Sequence, residues 1–388
     1  MPDFLHGVSV VEVESGPRAI EGVSSSVIGI IGTAPAAVAE AFPLNTPVLT
    51  TGNAADMTKL GATGTLPTAI AGILAQTGVN IVVVRIAEGV AHDEVTADEA
   101  TLENVIGGAE DGIYVGVHSF LVSKSRLGIA PRILIAPGFC AEEVIAEMIP
   151  IAERLRAVIV ADTPTETDAA AVAFATACAN PRVYAIFPQV INTKKETVAA
   201  SPYAAGVIAK TDLQVGFWAS PSNKIVNGIV GLSKPVDFSL GDGACKANYL
   251  NENGIATIVN LDGYRLWGNR TTSDEAAYKF LCVRRTADII SDSILRAHLW
   301  AVDRNIVKNY LTDVTESVNA YLATLKSQGA ILAGKCFADK ELNTAANIAE
   351  GKVFFDFSFT PAYPAEQVTF RAYLDNSDIE SVIFENVA

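Results

Sequence analysis

The chain has 388 residues, half of them hydrophobic, with a formal net charge of −15 and a pI near 4.7. That length exceeds one ordinary core and predicts two or three domains. The acidic balance excludes binding along nucleic acid, which needs clustered Lys and Arg against the phosphates, and fits solubility and basic partners.

In chain order, "HGVSVVEVESGP" sets Val8 and Val10 on one face and Val11 and Val13 on the other, then stops at Gly16-Pro17. It reads as an isolated strand before a hinge, an N-terminal β arm over residues 1–20. From 21 to 240 the pattern alternates strand and helix. "SVIGIIG", "VNIVVVRI", "PRILIAPG", "RAVIVAD" and "RVYAIFP" are predicted strands; 66–77, 141–156 and 166–178 are predicted helices. Continuous apolar strands between helices predict an α/β domain whose mainly parallel sheet is covered on both faces. "SPYAAGVIAKTD" (201–212) puts Ser at an N-cap and Pro at the first helical position.

"GFWASPSNKIVNGIVGLSKPVDF" is rich in Gly, Pro and Ser and reads as a joint between domains. A second, α+β domain over 241–375 is then expected. Thr272 and Glu275 have capping-box spacing and predict a helix over about 273–300. Val302, Ile306, Tyr310, Val314, Val318, Tyr321, Leu322 and Leu325 make the stripe of a second helix, stopped at Gly329. "KVFFDFSF", with Phe355, Phe357 and Phe359 alternating, and "QVTFRAYLD", with Val368 and Phe370 on one face, predict a hairpin. "NSD" breaks it, and 376–388, with Val382, Ile383 and Phe384, reads as a C-terminal β arm.

Apparent chemistry is thin. The five cysteines lie far apart, with no C-x-x-C pair, which is neither a zinc site nor a disulfide framework and fits a reducing compartment. The first residues lack a charged n-region leading into an apolar core, so no secretory signal is expected, and no apolar run of about eighteen residues occurs. "GAILAGKC" has P-loop spacing, but Cys336 stands where Ser or Thr would hold magnesium, and a helix precedes it; a helix stop followed by a strand accounts for it. "VIGIIGTAPAAVAEAF" has two glycines where the dinucleotide fingerprint has three. His6, His92, His118 and His298 are scattered. In "ADTPTETD", Asp162, Glu166 and Asp168 follow a strand, where active sites and helix N-termini both place acids. No cofactor is expected.

"LDGYRLWGNRTTSDE" is the densest polar stretch. Asn269-Arg270-Thr271 is a formal glycosylation sequon, without a secretory route to use it. Arg265 and Arg270 can each fork across a carboxylate or carbonyls, while Trp267 anchors the loop. Spacing alone admits a structural joint and an arginine-lined active site.

Asp262, Tyr264, Arg265, Trp267, Asn269 and Arg270 in "LDGYRLWGNRT" resemble the signature of contractile tail sheath proteins of myophages and R-type phage-tail-like bacteriocins. "HGVSV", "SSVIGIIGTA", "PRILIAPG", "ERLRAVIVAD", "SPYAAGVIAKTD", "GFWASPSNK", "NENGIATIV", "LWAVDR" and "LKSQGAI" resemble other sheath segments in the same order, most weakly over 88–125. The resemblance implies a non-enzymatic virion or bacteriocin component of the compact type, built as six-fold stacked rings around an inner tail tube protein. Baseplate and tail terminator proteins would be its further partners, and assembly would occur in the host bacterial cytoplasm. Neither nucleic acid nor direct membrane insertion is implied.

Contraction would drive the tube through a cell envelope. The α/β domain would lie outside and the second domain inside. The arms would add strands to neighbours, with Phe355, Phe357, Phe359, Val368 and Phe370 in the receiving sheet. Arg304, Lys308, Asp313, Glu316 and Lys326, off the apolar stripe, would be candidates for tube contact or an ordinary solvated face. In this reading the arginine motif is a joint between the inner domain's sheet and its first long helix. The competing class is an α/β enzyme with a nucleotide or arginine-lined substrate site.

Overall fold

The structure, a computed structural model, describes residues 20, 22–91, 95–110 and 112–378. The arm residues Val8, Val10, Val11, Val13, Val382, Ile383 and Phe384, with His6 and His92, lie outside the described residues.

A nine-stranded sheet organises most of the chain. Its strands are β1 (Ile28–Thr33), β2 (Val48–Thr50), β3 (Ile81–Ile86), β4 (Ile133–Ile135), β5 (Val158–Asp162), β6 (Val183–Ile186), β7 (Lys224–Ile225), β8 (Ile255–Asn260) and β9 (Tyr264–Trp267). They lie in the order β7-β9-β8-β6-β5-β4-β1-β3-β2. The strands from β8 to β3 run parallel; at the two ends β2 pairs antiparallel with β3, β9 with β8, and β7 with β9. "IGIIGT" of β1 is buried at every position, as expected when helices cover both faces.

One face carries α1 (Thr65–Leu74), and the opposite face α2 (Glu142–Leu155) and Phe174 of α3 (Asp168–Ala177). α4 (Ser201–Gln214) packs beside α1 and is buried along most of its length. Glycines let these two helices approach. A Cβ at Gly72 would meet the Tyr203 ring at 2.8 Å, and one at Gly206 would meet Gln76 Cγ at 2.7 Å.

The predicted parallel strands and the helices at 65–74, 142–155 and 168–177 match the observed ones. The sequence reading departs from the structure in several respects. The stretch 216–238 contributes β7 to the sheet, and β8 pairs in parallel with β6, so the sheet runs past residue 240 to Trp267. Ser201 is the first residue inside α4, and the acceptor for the helix start is the Asp162 carboxylate. Thr272 is buried and donates to the Cys178 carbonyl at 2.8 Å, so it caps no helix; a 3-10 turn (Ala276–Tyr278) precedes α5 (Leu281–Ala297). Residues 34–42 form turns where a dinucleotide loop would open a helix.

α6 (Lys308–Ser327) buries Val314, Val318, Tyr321, Leu322 and Leu325, and Gly329 follows it at φ 79°. Val302 and Ile306 precede the helix. β10 (Ile331–Ala338) then pairs antiparallel with β11 (Phe355–Pro361) as a two-stranded ribbon against α6. "GAILAGKC" is therefore mostly strand. The predicted hairpin between "KVFFDFSF" and "QVTFRAYLD" does not form: β11 takes β10 as partner, and residues 362–376 have no regular structure. Val368 and Phe370 are consequently outside the ribbon, leaving Phe355, Phe357 and Phe359 in it.

Candidate assembly surface

The arginine-rich stretch is spent on intramolecular contacts. Asp262 (φ 51°) and Gly263 (φ 105°) make the turn between β8 and β9. Tyr264 Oη donates to the Val230 carbonyl at 2.9 Å. Arg265 Nε donates to the Leu261 carbonyl at 2.9 Å and Nη1 to the Asn223 carbonyl at 3.2 Å. Trp267 meets Phe238 edge-on, with ring centroids 4.7 Å apart. Asn269 is buried; its Nδ2 lies 3.2 Å from Cys282 Sγ and its carbonyl accepts from Leu281 N at 2.9 Å, fixing the first turn of α5. Arg270 forks across Glu366, Nε to Oε1 at 2.6 Å and Nη2 to Oε2 at 2.7 Å. The motif is thus a joint into α5, but the strand it extends belongs to the nine-stranded sheet rather than to an inner-domain sheet.

What the sequence reading missed is how α5 is bound to that sheet. Asp288 is buried and accepts from Arg182 Nη1 and Nη2, at 2.6 and 2.9 Å, and from Arg284 Nη2 at 2.8 Å. Arg285 Nη1 reaches Asp212 of α4 at 2.6 Å, both side chains being buried. Asp292 pairs with Arg132 and lies 3.8 Å from Arg156. Residues so far apart in sequence gave no spacing signal; Arg284 and Asp288, four apart on a predicted helix, were the legible part.

The acids of "ADTPTETD" are structural. Asp162 accepts from Ala200 N and Ser201 N, both at 2.8 Å, and from the Ser201 hydroxyl. Burial pushes its carboxyl upward, opposed by those bonds. Asp168 pairs with Lys246 at 2.7 Å, and the Glu166 carbonyl accepts from Lys234 Nζ. His118 lies 2.9 Å from Glu147, and His298 Nδ1 sits 2.7 Å from the Ile294 carbonyl.

The β10–β11 ribbon and the tail after it are the unusual surface. Two strands alone bury little, and Leu332, Phe337 and Phe357 of the ribbon are exposed. An apolar groove of about 400 Å³ runs between β11, α6 and the end of α5, lined among others by Leu295, Leu299, Val302, Tyr310, Phe355 and Phe357. Beyond Pro361, Tyr363 meets Phe280 edge-on at 6.4 Å and Glu366 is held by Arg270. The next residues leave the surface: Val368, Phe370 and Leu374 are 66%, 91% and 93% exposed. An apolar strip so uncovered marks an interaction segment. Of the charged candidates, Lys308, Glu316 and Lys326 are exposed on α6, Asp313 there is half-buried, and Arg304 precedes the helix with its guanidinium 5.2 Å from the Trp300 ring centre.

Comparison with known proteins places the chain in a family. Family profiles match in chain order: tail sheath protein Gp18 domain III N-terminal region over 25–86, phage tail sheath protein central domain over 118–272, and phage tail sheath C-terminal domain over 273–375. The chain belongs to the phage tail sheath family, a structural and non-enzymatic class of virion component. A prophage major tail sheath protein of Pseudomonas aeruginosa (strain UCBPP-PA14) is 42% identical over 98% of this chain and 99% of that protein. The tail sheath protein of Escherichia phage P2 is 34% identical over 99% and 98%. In fold, the chain resembles the contracted sheath of an extracellular contractile injection system, PVC (TM-score 0.71, 18% identity, 97% of this chain and 99% of that one). It also resembles the contracted helical sheath of the anti-feeding prophage (TM-score 0.70, 19% identity, 96% and 99%).

Proposed function

We propose that this chain polymerises as six-fold stacked rings around an inner tail tube, between baseplate and terminator proteins, and that contraction of the polymer drives the tube through a cell envelope. The observation that carries the assembly reading is the two-stranded ribbon with an exposed apolar tail, in a chain of the tail sheath family. An open strand edge is a liability in a lone subunit and an asset when a neighbour's arm adds to it, because main-chain hydrogen bonds supply strength with little sequence demand. The arms are residues 1–20 and 376–388. Donor and acceptor surfaces differ, so each contact is head-to-tail and repeats into rings and helices.

The outer unit in this reading is the sheet with its helices, up to about residue 272, where the family's central and C-terminal domains divide. The inner unit is α5, α6 and the ribbon. Arg304, Lys308, Asp313, Glu316 and Lys326 face the tube through charge pairs weak enough to release. The extended polymer is kinetically trapped, and contraction forms further contacts between subunit bodies without a nucleotide. Assembly takes place in the host bacterial cytoplasm.

Deleting residues 1–15 tests arm exchange. The truncated chain is expected to stay folded, with unchanged circular dichroism and melting, and to remain monomeric in negative-stain images. Normal tubes from that truncation would overturn the reading.

A further inference from the structure

We propose that the outer corner of the nine-stranded sheet, where Lys210, Lys224 and Arg265 line one pocket, receives an acidic side chain from a second copy of this chain in the polymer. This rests on the polymer reading above and adds a contact made by the subunit bodies, independent of the arms.

β7 is the edge strand of the sheet and β9 its inner neighbour. A pocket of about 240 Å³ lies between these strands and α4, lined by Lys210 and Gln214 of α4, Lys224 and Ile225 of β7, and Arg265 of β9 among others, with no carboxylate. Lys210, Lys224 and Arg265 make no ion pair among the described residues. Arg265 gives Nε to the Leu261 carbonyl and Nη1 to the main-chain and side-chain oxygens of Asn223, all neutral acceptors. Its charge therefore stays uncompensated. Asp212, close to Lys210 in sequence, is taken by Arg285.

A lysine on an edge strand guards against further strand pairing, and that accounts for Lys224. It does not account for Lys210 on a helix or for Arg265 on the inner strand. Like charges gathered in one pocket repel one another, so their convergence in a chain of net charge −15 calls for an anion. The surroundings name its source. Leu213 and Val215 flank Gln214 in sequence, and with Ile225 they are 58%, 53% and 48% exposed, the apolar setting of a protein contact. The pocket is smaller than the roughly 300–1,000 Å³ of cofactor sites, so a side chain is its fitting occupant. The chain's overall charge repels nucleic acid and anionic membranes, whereas each further copy brings 43 acidic residues against 28 basic ones. Pocket and donor are different surfaces, so the contact is head-to-tail, as the polymer requires.

Charge reversal in the full chain tests the site. Lys210→Glu/Lys224→Glu is expected to leave the monomer's melting unchanged, because neither lysine is paired, and to raise the critical concentration for polymer about tenfold or more. Lys210→Arg/Lys224→Arg is expected to assemble as the unaltered chain does. A second measurement needs no variant. Polymer grown from mixed unlabelled and heavy-isotope-labelled chains is treated with a carbodiimide, which joins a lysine to a carboxylate in contact with it. Mass spectrometry is expected to find Lys210 or Lys224 joined to an acid of another copy. Unchanged assembly by the reversed variant, or links confined to single chains, overturns the proposal while the polymer itself, judged by the unaltered chain, still stands. Inorganic phosphate that raises the melting temperature of the unaltered monomer but not of the reversed one, with assembly unchanged, overturns it in favour of a free oxyanion.

Discussion

Arg285→Met is the sharpest probe of how the inner helices are tied to the sheet. Arg285 and Asp212 are 5% and 1% exposed, and the guanidinium also donates to the Ser25 carbonyl at 3.0 Å. Removing the arginine leaves a carboxylate buried without its counter-charge, which costs about 3–5 kcal/mol. Removing both charges in Arg285→Met/Asp212→Leu eliminates that penalty and leaves the Ser25 carbonyl as the main loss, about 1–2 kcal/mol. The coupling between the two positions is therefore on the order of 2 kcal/mol or more. Urea unfolding of the dilute monomer, followed by tryptophan fluorescence, measures all four chains, and because the pair is shielded from solvent the single-variant penalty persists in added salt. A single variant costing under about 1 kcal/mol, or a double variant as unstable as the single, would refute the argument.

Other outcomes follow from the same geometry. Asp162→Ala removes the acceptor for two N–H groups at the start of α4 and for the Ser201 hydroxyl; it is expected to lower stability by about 2–3 kcal/mol in urea, with Asp162→Asn costing less. Burial pushes the thiols of Cys140, Cys282 and Cys336 upward and that of Cys178 to about 11. At pH 8 the Cys178 thiolate fraction is then about one in a thousand. A thiol reagent should label these four slowly until urea is added, and labelling of the native chain at a free-thiol rate would contradict the burial.

The parallel sheet was legible because its signal is local: strands such as "VNIVVVRI" are apolar throughout, and the helices between them carry their own stripes and caps. The edges were not. β7 is two residues long, and β9 sits in a stretch whose arginines and tryptophan drew attention as chemistry; pairing partners of that kind are set by tertiary contact. Phe355, Phe357 and Phe359 were correctly read as strand, yet the partner was misassigned, because "QVTFRAYLD" alternates as cleanly as "AILAGKCF" and lies nearer in sequence. That nearer segment is left uncovered in the single subunit. The charge clamp on α5 joins Arg132, Arg182 and Asp212 to residues beyond 280, and no pattern in the sequence links them.

The most direct test is a cryo-EM map of the assembled polymer at a resolution that traces the main chain. The account predicts that the terminal segments, 1–20 and 376–388, run onto other copies and add strands to their ribbons. A map in which both ends pair only within their own chain would contradict it.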